Sequence, residues 1–295
     1  MRHVPVLTRE VLEILQPGRG GLFIDATAGN GGHSRAILEN SPADLRLIAI
    51  DRNPATLGVA AEHLEPFQNR VRLLQGDFRD LAALLPGQTP GTVEAILYDL
   101  GLSSFLLDQP DLGLSFQRDD PLDMRFDPGA GFPAYQLLAE TPEPELADLF
   151  YQLGEIRESR RLAARIKSAR PPVQTTGQLA AIARSVIRRR GRIDPATRVF
   201  QALRIAVNDE LDALRETLPQ AEKLLAPGGR LAVISYHSLE DRIVKNFLRE
   251  SRELERLTRK PIQPSEAERR ENPASRSAKL RGARKLPEAV FLTGK

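Results

Sequence analysis

The chain has 295 residues, of which 41% are hydrophobic and 27% charged, and its net charge is only +3 at neutral pH. This length exceeds one ordinary domain of about 150 residues, so we expect two structural units. The absence of cysteine excludes a disulfide scaffold, cysteine-ligated metal sites and a cysteine nucleophile. We predict a cytoplasmic protein, because no apolar run approaches the ~20 residues that span a bilayer and charges interrupt the N-terminal segment.

Short apolar runs alternate with helical patterns in the first hundred residues, which is typical of a mostly parallel α/β sheet. Four predicted strands end near Asp25, Asp51, Asp77 and Asp99. Helical patterns at 31–40 and 55–64 follow the first two of these strands. Much later, a helix at 209–225 is predicted to stop at the sequence APGG, and a fifth strand at 230–238 follows it.

The α/β rhythm breaks between the fourth and fifth strands. Residues 108–196 contain no pattern of a buried strand; a turn-rich acidic stretch is followed by four helical patterns, at 134–140, 144–154, 159–169 and 175–190. We therefore predict a helical domain, 108–196, inserted between two parts of the α/β core, 1–107 and 197–295.

Positive charge is concentrated in two segments. Residues 157–192 contain 11 Lys or Arg and one acidic residue, and residues 249–285 contain 12 Lys or Arg and six acidic residues. Such segments on a nearly neutral chain are typical of proteins that bind a polyanion, although a solvated face explains either one equally well. We expect the tail, 257–286, to add a pair of strands at the sheet edge, with its basic side chains either facing RNA or simply solvated.

A glycine-rich turn follows the first predicted strand. Gly29 and Gly31 allow a close approach of the backbone to a ligand, and Asp51, 22 residues after Gly29, is placed to accept hydrogen bonds from two ribose hydroxyls. The combination indicates a cofactor that contains a nucleoside. Phe78, after the third strand, is well placed to flank an adenine, although a single Phe is more often a core residue.

The turn fits S-adenosylmethionine better than NAD. The dinucleotide pattern G-x-G-x-x-G requires a glycine where the chain has Ser34, whereas the methyltransferase pattern D-x-G-x-G-x-G matches at Asp25, Gly29 and Gly31, with Thr27 replacing the first glycine. S-adenosylmethionine carries an ammonium and a sulfonium, which suits carboxylates at several strand ends. Any one of those aspartates could instead cap a turn.

Longer motifs resemble the ribosomal RNA small-subunit methyltransferase H family, bacterial enzymes that make N(4)-methylcytidine in the decoding region of 16S rRNA. The resemblance extends over nearly the whole chain. The matching segments are His3–Leu7, Gly31–Ser34, Ala49–Pro54, Asp99–Ser104, Ser115–Pro128, Pro195–Leu211, Pro227–Lys245 and Arg276–Arg281.

The resemblance implies a class I methyltransferase, that is, a Rossmann-like core with an inserted helical domain for substrate recognition. It implies S-adenosylmethionine as the cofactor and 16S rRNA within the small ribosomal subunit as the partner. We assign no metal-ligating residues, and whether a divalent ion assists RNA binding stays open. The expected cofactor contacts are Gly31, Gly32, His33, Asp51, Phe78 and Asp99. The chain departs from the family pattern at Leu106, where a glutamine is usual, and at Asp194, where a histidine is usual.

Candidate catalytic residues follow the fourth and fifth strands. Asp99 begins the loop that holds the substrate-binding D/N-P-P-Y motif in DNA amino-methyltransferases, and we expect it to bridge cofactor and target base. Tyr236, His237 and Ser238 are candidates for the base pocket, although His237 is equally consistent with a structural histidine. A DNA amino-methyltransferase, an inactive RNA-binding factor of the same fold and an NAD-dependent dehydrogenase stay as alternatives.

Overall fold

The computed structural model describes residues 5–287, except residues 86, 88, 190 and 192 and the side chains at 104 and 108. His3 of the first motif and two arginines of the first basic segment lie outside the described residues. The chain divides into an α/β unit, Met1–Ser103 with Leu211–Lys295, and a helical unit, Ser104–Glu210. Among the described residues, no helix combines the length and the apolar character needed to cross a membrane.

The α/β unit is built on one seven-stranded sheet with the order β3-β2-β1-β4-β5-β7-β6. The first five strands are parallel, whereas β7 is antiparallel to both β5 and β6. The strands are β1 Leu22–Asp25, β2 Arg46–Asp51, β3 Val71–Gln75, β4 Val93–Asp99, β5 Leu225–Ser235, β6 Leu254–Arg256 and β7 Lys279–Lys285. The strand order reverses between β1 and β4, and ligands bind at such a point in open α/β sheets.

Helices cover both faces of this sheet, which is why the central strands are continuous apolar runs. Along β1, Phe23 packs into the core on one face and Ile24 into the core on the other, as the period of two in a strand requires. The helices are α1 Thr8–Leu15, α2 Gly32–Glu39, α3 Pro54–Leu64, α4 Leu81–Leu84, α11 Glu210–Leu224, α12 Ser238–Glu250 and α13 Glu266–Glu271.

The helical unit has its own core, centred on the fully buried side chains of Phe150, Leu162 and Leu203. Its helices are α5 Ser104–Asp108, α6 Ala134–Glu140, α7 Glu143–Gly154, α8 Ser159–Lys167, α9 Thr176–Val186 and α10 Pro195–Asn208. Each of the four helical patterns in the predicted insertion corresponds to one of these helices.

The helical unit begins and ends outside the predicted segment, 108–196. The predicted boundary at 196 places most of helix α10 in the α/β core, yet its apolar face, including Val199 and Leu203, packs in the core of the helical unit. Asn208, at the end of α10, also donates to the carbonyl of Met124 and accepts from the amide of Phe126. The boundary therefore follows the packing of α10, which a helical pattern alone does not reveal.

The start of the fifth strand differs from the prediction. The strand begins at Leu225, directly after α11, and not at Arg230. Its pairing with β4 shifts from Val93–Leu225 to Ala95–Arg230, so the intervening residues form a bulge in which Gly228 has a φ of 81°. The APGG sequence is a glycine-containing strand bulge, and such bulges are hard to distinguish from a helix stop in sequence.

One of the two strands expected in the tail, 257–286, is confirmed: β7 lies within it, whereas β6 ends at Arg256, just before it. Strand β7 runs along β5 and β6 runs along β7, so the tail completes one edge of the sheet. Arg281 of β7 is nearly buried and forms an ion pair with Asp241 of α12 at 2.7 Å. Part of the tail's basic character is therefore structural.

We predict that Gly282→Ala destabilises the α/β unit, because its Cβ would lie 2.8 Å from Cδ1 and 2.9 Å from Cγ2 of Ile14 on α1. Overpacking of this kind costs about 1–3 kcal/mol of unfolding free energy. Urea denaturation should show that Ile14→Ala combined with Gly282→Ala costs less than the sum of the two single changes. Gly58→Ala, on an open face of α3, should instead stabilise slightly; strictly additive costs at 14 and 282 would contradict the close approach.

Candidate functional site

The turn between β1 and α2 is anchored to both strands that flank β1. The amide of Ala26 donates to the carbonyl of Leu97 on β4 at 2.9 Å, and the amide of Ala28 donates to the carbonyl of Ile50 on β2 at 2.7 Å. Gly31 has a φ of 80°, which glycine adopts without strain, and a Cβ there would lie 3.2 Å from a leucine of α3. The turn is thereby fixed at the carboxyl ends of the central strands.

Asp51 ends β2 beside this turn. One carboxylate oxygen accepts from the amide of Gly29 and the other from the amide of Asn53, both at 2.9 Å. Burial raises the pKa of Asp51 to about 6, although these two hydrogen bonds favour the ionised form. Because each oxygen has a second lone pair, the ionised carboxylate can still accept from two further donors.

Asp99, at the end of β4, is held by three other elements. The hydroxyl of Tyr236 donates to its Oδ1 at 2.9 Å, and Nε2 of His33 lies 3.4 Å from its Oδ2. The hydroxyl oxygen of Thr27 accepts from the Asp99 amide at 2.6 Å. Burial alone would raise the pKa of Asp99, but the contacts with His33 and Tyr236 outweigh it and bring the pKa below its ordinary value.

Gly101 makes room for the Tyr236 ring. A Cβ at Gly101 would lie 2.6 Å from a ring carbon of Tyr236, and its amide is 3.4 Å from Oδ1 of Asp99. A glycine two residues after Asp99 is therefore needed for the tyrosine hydroxyl to reach the carboxylate.

Several of these groups line one cleft of the α/β unit. Its lining includes Pro5, Gly29, Gly32, His33, Asp99 and Tyr236. The N-terminal segment is held there by a hydrogen bond of 2.7 Å from the amide of Leu7 to the carboxylate of Glu268 in the tail, and Ala274 of the tail also lines the cleft.

The cleft suits a ligand that is cationic and rich in hydrogen-bond donors. Within the part of the chain that the structure describes, the buried Oδ1 of Asn30 and Nδ1 of His33 have no hydrogen-bond partner. Buried polar atoms are seldom left unpaired without a reason. Together with the carboxylate of Asp99, they offer hydrogen-bond acceptors and negative charge to such a ligand.

The structure brings most of the expected cofactor residues together. Gly32, His33 and Asp99 line the same cleft, and Asp51 is joined to it through Gly29. Phe78 does not belong to that lining. Its ring packs edge-on against the buried Tyr98, with ring centroids 5.7 Å apart.

Asp25 and Asp77 have structural partners. Asp25 is fully buried and accepts from the hydroxyl of Ser34 at 2.7 Å, which ties the first turn of α2 to β1, and burial raises its pKa. Asp77 accepts from the amide of Arg79 at 2.9 Å and lies 3.4 Å from a guanidinium nitrogen of Arg52. For these two carboxylates the capping interpretation describes the contacts better than ligand binding does.

His237 caps α12 and lies outside the cleft lining. Its Nδ1 accepts from the amide of Glu240, whose carboxylate in turn accepts from the amide of His237, so the two form a capping box. These contacts agree with a structural role for His237 rather than with a place in the base pocket. Tyr236, expected in the base pocket, lines the cleft and donates to Asp99.

The two departures from the family pattern lie in the helical unit. Leu106 is buried in that unit's core, which its apolar side chain suits better than a polar cleft. Asp194 caps α10 by accepting from the amide of Ala196, and it pairs with Arg184 at 3.0 Å. Its hydrogen bond from Ala196 lowers the pKa of Asp194. Both replacements thus have local structural roles.

Sequence reasoning missed the roles of Thr27 and Gly101. Thr27 stood out only as a departure from a glycine pattern, and its hydrogen bond to β4 depends on strand order. The contact between Gly101 and Tyr236 joins residues from different strands, so only the fold reveals it.

Comparison with known proteins places this cleft in a family. The model of the MraW methylase family matches residues 1–286. The chain belongs to the MraW methylase family. The ribosomal RNA small subunit methyltransferase H of Synechococcus elongatus is 51% identical, covering 97% of this chain and 96% of the relative. That of Granulibacter bethesdensis is 46% identical, covering 95% of this chain and 90% of the relative.

A solved structure of a putative methyltransferase from Streptococcus mutans in complex with SAH superposes with a TM-score of 0.48 at 15% identity. The superposition covers 96% of this chain and all of the other. The expected family and the expected fold class are both confirmed: the methylase has the Rossmann-like core of the class I, S-adenosylmethionine-dependent methyltransferases.

We predict that Thr27→Val lowers the unfolding free energy by about 1–3 kcal/mol, because the amide of Asp99 loses its acceptor inside the structure. Thr27→Ser keeps the hydroxyl and should retain most of the stability, so it is the matched control. Urea denaturation of the three proteins measures the difference. A Thr27→Val variant as stable as the wild type would show that the hydrogen bond contributes nothing, and a larger loss in Thr27→Ser would show that the methyl group matters more.

Proposed function

We propose that this methylase transfers the methyl group of S-adenosylmethionine to the exocyclic amino nitrogen of a cytidine in the decoding region of 16S rRNA. The observation that carries the proposal is the carboxylate of Asp99, held by Tyr236 and His33 next to the glycine-rich turn. The chain's similarity to methyltransferases named for the small-subunit ribosomal RNA supports the substrate.

The residues proposed to hold the cofactor lie at the ends of β1, β2 and β4. Asp51 would accept from the ribose hydroxyls, while Gly31 and Gly32 let the backbone approach the ligand. His33 and Asp99 complete this set, and Phe78 stays in it only through the family resemblance. Once bound, S-adenosylmethionine supplies an electrophilic methyl group on a sulfonium.

Asp99 is proposed to aim the target nitrogen. The lone pair of an exocyclic amino group is delocalised into the pyrimidine ring, so the nitrogen reacts only when held ~3–3.5 Å from the methyl carbon and in line with the breaking bond. A carboxylate that accepts an amino proton draws the lone pair toward the methyl and stabilises the positive charge that develops on nitrogen. The low pKa of Asp99 suits it to accept that hydrogen bond rather than to retain the proton.

The helical unit is proposed to recognise the RNA. Arg157, Arg161 and Arg165 are exposed there, and no ion-pair partner for them occurs in the described part of the chain. Cations in this state are free to contact phosphates. A small ribosomal subunit as the substrate particle and a cytoplasmic location accompany this proposal and stay predictions.

The proposal predicts that Asp99→Asn lowers kcat by about 10²–10³-fold, because an amide is a weaker acceptor for the developing charge. The assay is methyl transfer from labelled S-adenosylmethionine to small ribosomal subunits that lack the modification, with the product nucleoside identified by mass. Asp80→Asn, an exposed carboxylate in the α/β unit, serves as the control. If the wild type binds S-adenosylmethionine but forms no N(4)-methylcytidine, the proposed substrate is wrong. If it binds no S-adenosylmethionine, the proposed reaction is wrong.

The pKa of Asp51 predicts a pH dependence of cofactor binding. Since the folded-state pKa is raised to about 6, the carboxylate is ionised above that pH and loses its ability to accept from the ribose as the pH falls through it. The Kd for S-adenosylmethionine, measured by calorimetry between pH 5 and 8, should rise up to about tenfold per unit below pH 6.

Asp51→Asn is the control for this titration. The variant should bind S-adenosylmethionine more weakly at pH 7.5, and its Kd should no longer change near pH 6 through titration of residue 51. It keeps Asp25 and Arg52, whose charges act on Asp51, and the cleft histidines His33 and His63, so any dependence due to those groups persists. The same pH profile in both proteins would exclude Asp51 as the titrating group.

A further inference from the structure

The cations of the second basic segment, 249–285, fall into two groups, those that bond a neighbouring side chain and those that do not. Of the 12 Lys or Arg in residues 249–285, seven bond to side chains of the same tail or of α12. These are Arg249, Arg269, Arg270, Lys279, Arg281, Arg284 and Lys285. Within the described residues, five exposed cations have neither an ion pair nor a hydrogen bond: Arg252, Arg256, Arg259, Lys260 and Arg276.

Five of the six acidic residues in 249–285 have bonding partners other than these five cations. Glu253 and Glu255 bond Lys285 and Arg284 of β7, Glu268 accepts from the amide of Leu7, and Glu250 and Glu266 pair with neighbouring arginines. The sixth, Glu271, is exposed. None of the five carboxylates pairs with one of the five unpaired cations.

Three of the unpaired cations lie along the outer edge of the sheet. Strand β6 is the edge strand, and its last residue, Arg256, lies opposite Ala283 of β7. The chain then continues along β7, since the amide of Leu257 donates to the carbonyl of Gly282 and Ile262 pairs with Leu280. Arg259 and Lys260 lie within this stretch.

The stretch runs toward the end of the sheet where the cleft lies. Lys279, at the start of β7, is opposite Ser235, the last residue of β5, and the next residue is Tyr236 of the cleft. Arg276 follows two residues after Ala274, which lines the cleft. The unpaired cations thus extend from the outer edge of the sheet to the border of the cleft.

We propose that Arg256, Arg259, Lys260 and Arg276 form a phosphate-binding track for the RNA strand that enters the cleft. The proposal deepens the proposed function and rests on it. Side chains that contact phosphates fix the position of an RNA without reading its sequence, and a track that ends at the cleft would hold the backbone while the target base leaves its stack to reach the site. The inferred ligand is the sugar–phosphate backbone of RNA.

An edge strand also gains from charges that keep it from pairing with another sheet. That role needs charge of either sign, whereas phosphate binding needs positive charge. Charge reversal therefore separates the two explanations.

The test compares two triple variants, R256Q/R259Q/K260Q and R256E/R259E/K260E, with the wild type and with Arg72→Gln. Arg72 is an exposed arginine on β3, the opposite edge strand, and has no partner among the described residues. Fluorescence anisotropy measures binding of a labelled RNA hairpin with the decoding-region sequence between 50 and 200 mM KCl. Calorimetry with S-adenosylmethionine and thermal unfolding report on the cleft and the fold.

The glutamine variant should bind the hairpin at least tenfold more weakly at 100 mM KCl, and the slope of log K against log salt should shrink by about 2–3. The glutamate variant should bind still more weakly, Arg276→Gln should add to the loss, and cofactor affinity should stay within twofold.

Hairpin binding and salt slopes equal to those of Arg72→Gln would overturn the track, even if the wild type forms N(4)-methylcytidine. Tight hairpin binding by the glutamate variant would show that the charges only protect the edge. If the wild type does not bind the hairpin, the track fails, whereas the proposed function fails only if small ribosomal subunits also receive no methyl group. If the wild type binds the hairpin through these residues but methylates another nucleotide, only the target of the proposed function fails.

Discussion

Hydrogen bonds from the turn after β1 to the strands on either side are the constraint on which the candidate site depends. The turn reaches β4 through Ala26 and Thr27 and β2 through Ala28 and Gly29. These bonds join the glycine-rich turn, Asp51 and Asp99 into one unit. A site held together by its own backbone and side-chain bonds needs little further ordering to receive a ligand.

The carboxylates at the strand ends show that hydrogen-bond partners, and not burial alone, decide which form of a carboxyl group is favoured. Asp25 is fully buried and Asp99 is partly buried at the cleft, and the pKa is raised in the first and lowered in the second although burial acts to raise it in both. Asp25 bonds a neutral hydroxyl from Ser34, whereas Asp99 faces an imidazole and receives a tyrosine hydroxyl. A carboxylate that stays ionised can act on a substrate, and one that favours the neutral form is better suited to holding a helix in place.

Local patterns predicted the elements well and their boundaries less well. The runs around Phe23 and Ile24, the glycine turn and the helical patterns of the insertion each depend on a few neighbouring residues, and each was recognisable in sequence. The bulge at Gly228 and the packing of α10 depend on partners far along the chain. For the same reason Asp51 and Asp99 were predictable as site residues from motif and strand position, but the roles of Thr27, Gly101 and Tyr236 required the strand order.

The bond between Leu7 and Glu268 has a consequence for how the methylase comes into being. It joins residues 261 positions apart, and β5 gains its second neighbour only when β7 has been made. Contacts of such sequence separation form late, after the chain between them has been synthesised and ordered. While only about the first 250 residues of the chain have been synthesised, the glycine-rich turn is present. Glu268, which holds Leu7, and Ala274, which lines the cleft, have not yet been made. The cleft, which Tyr236 and Ala274 help to line, is therefore completed late in synthesis.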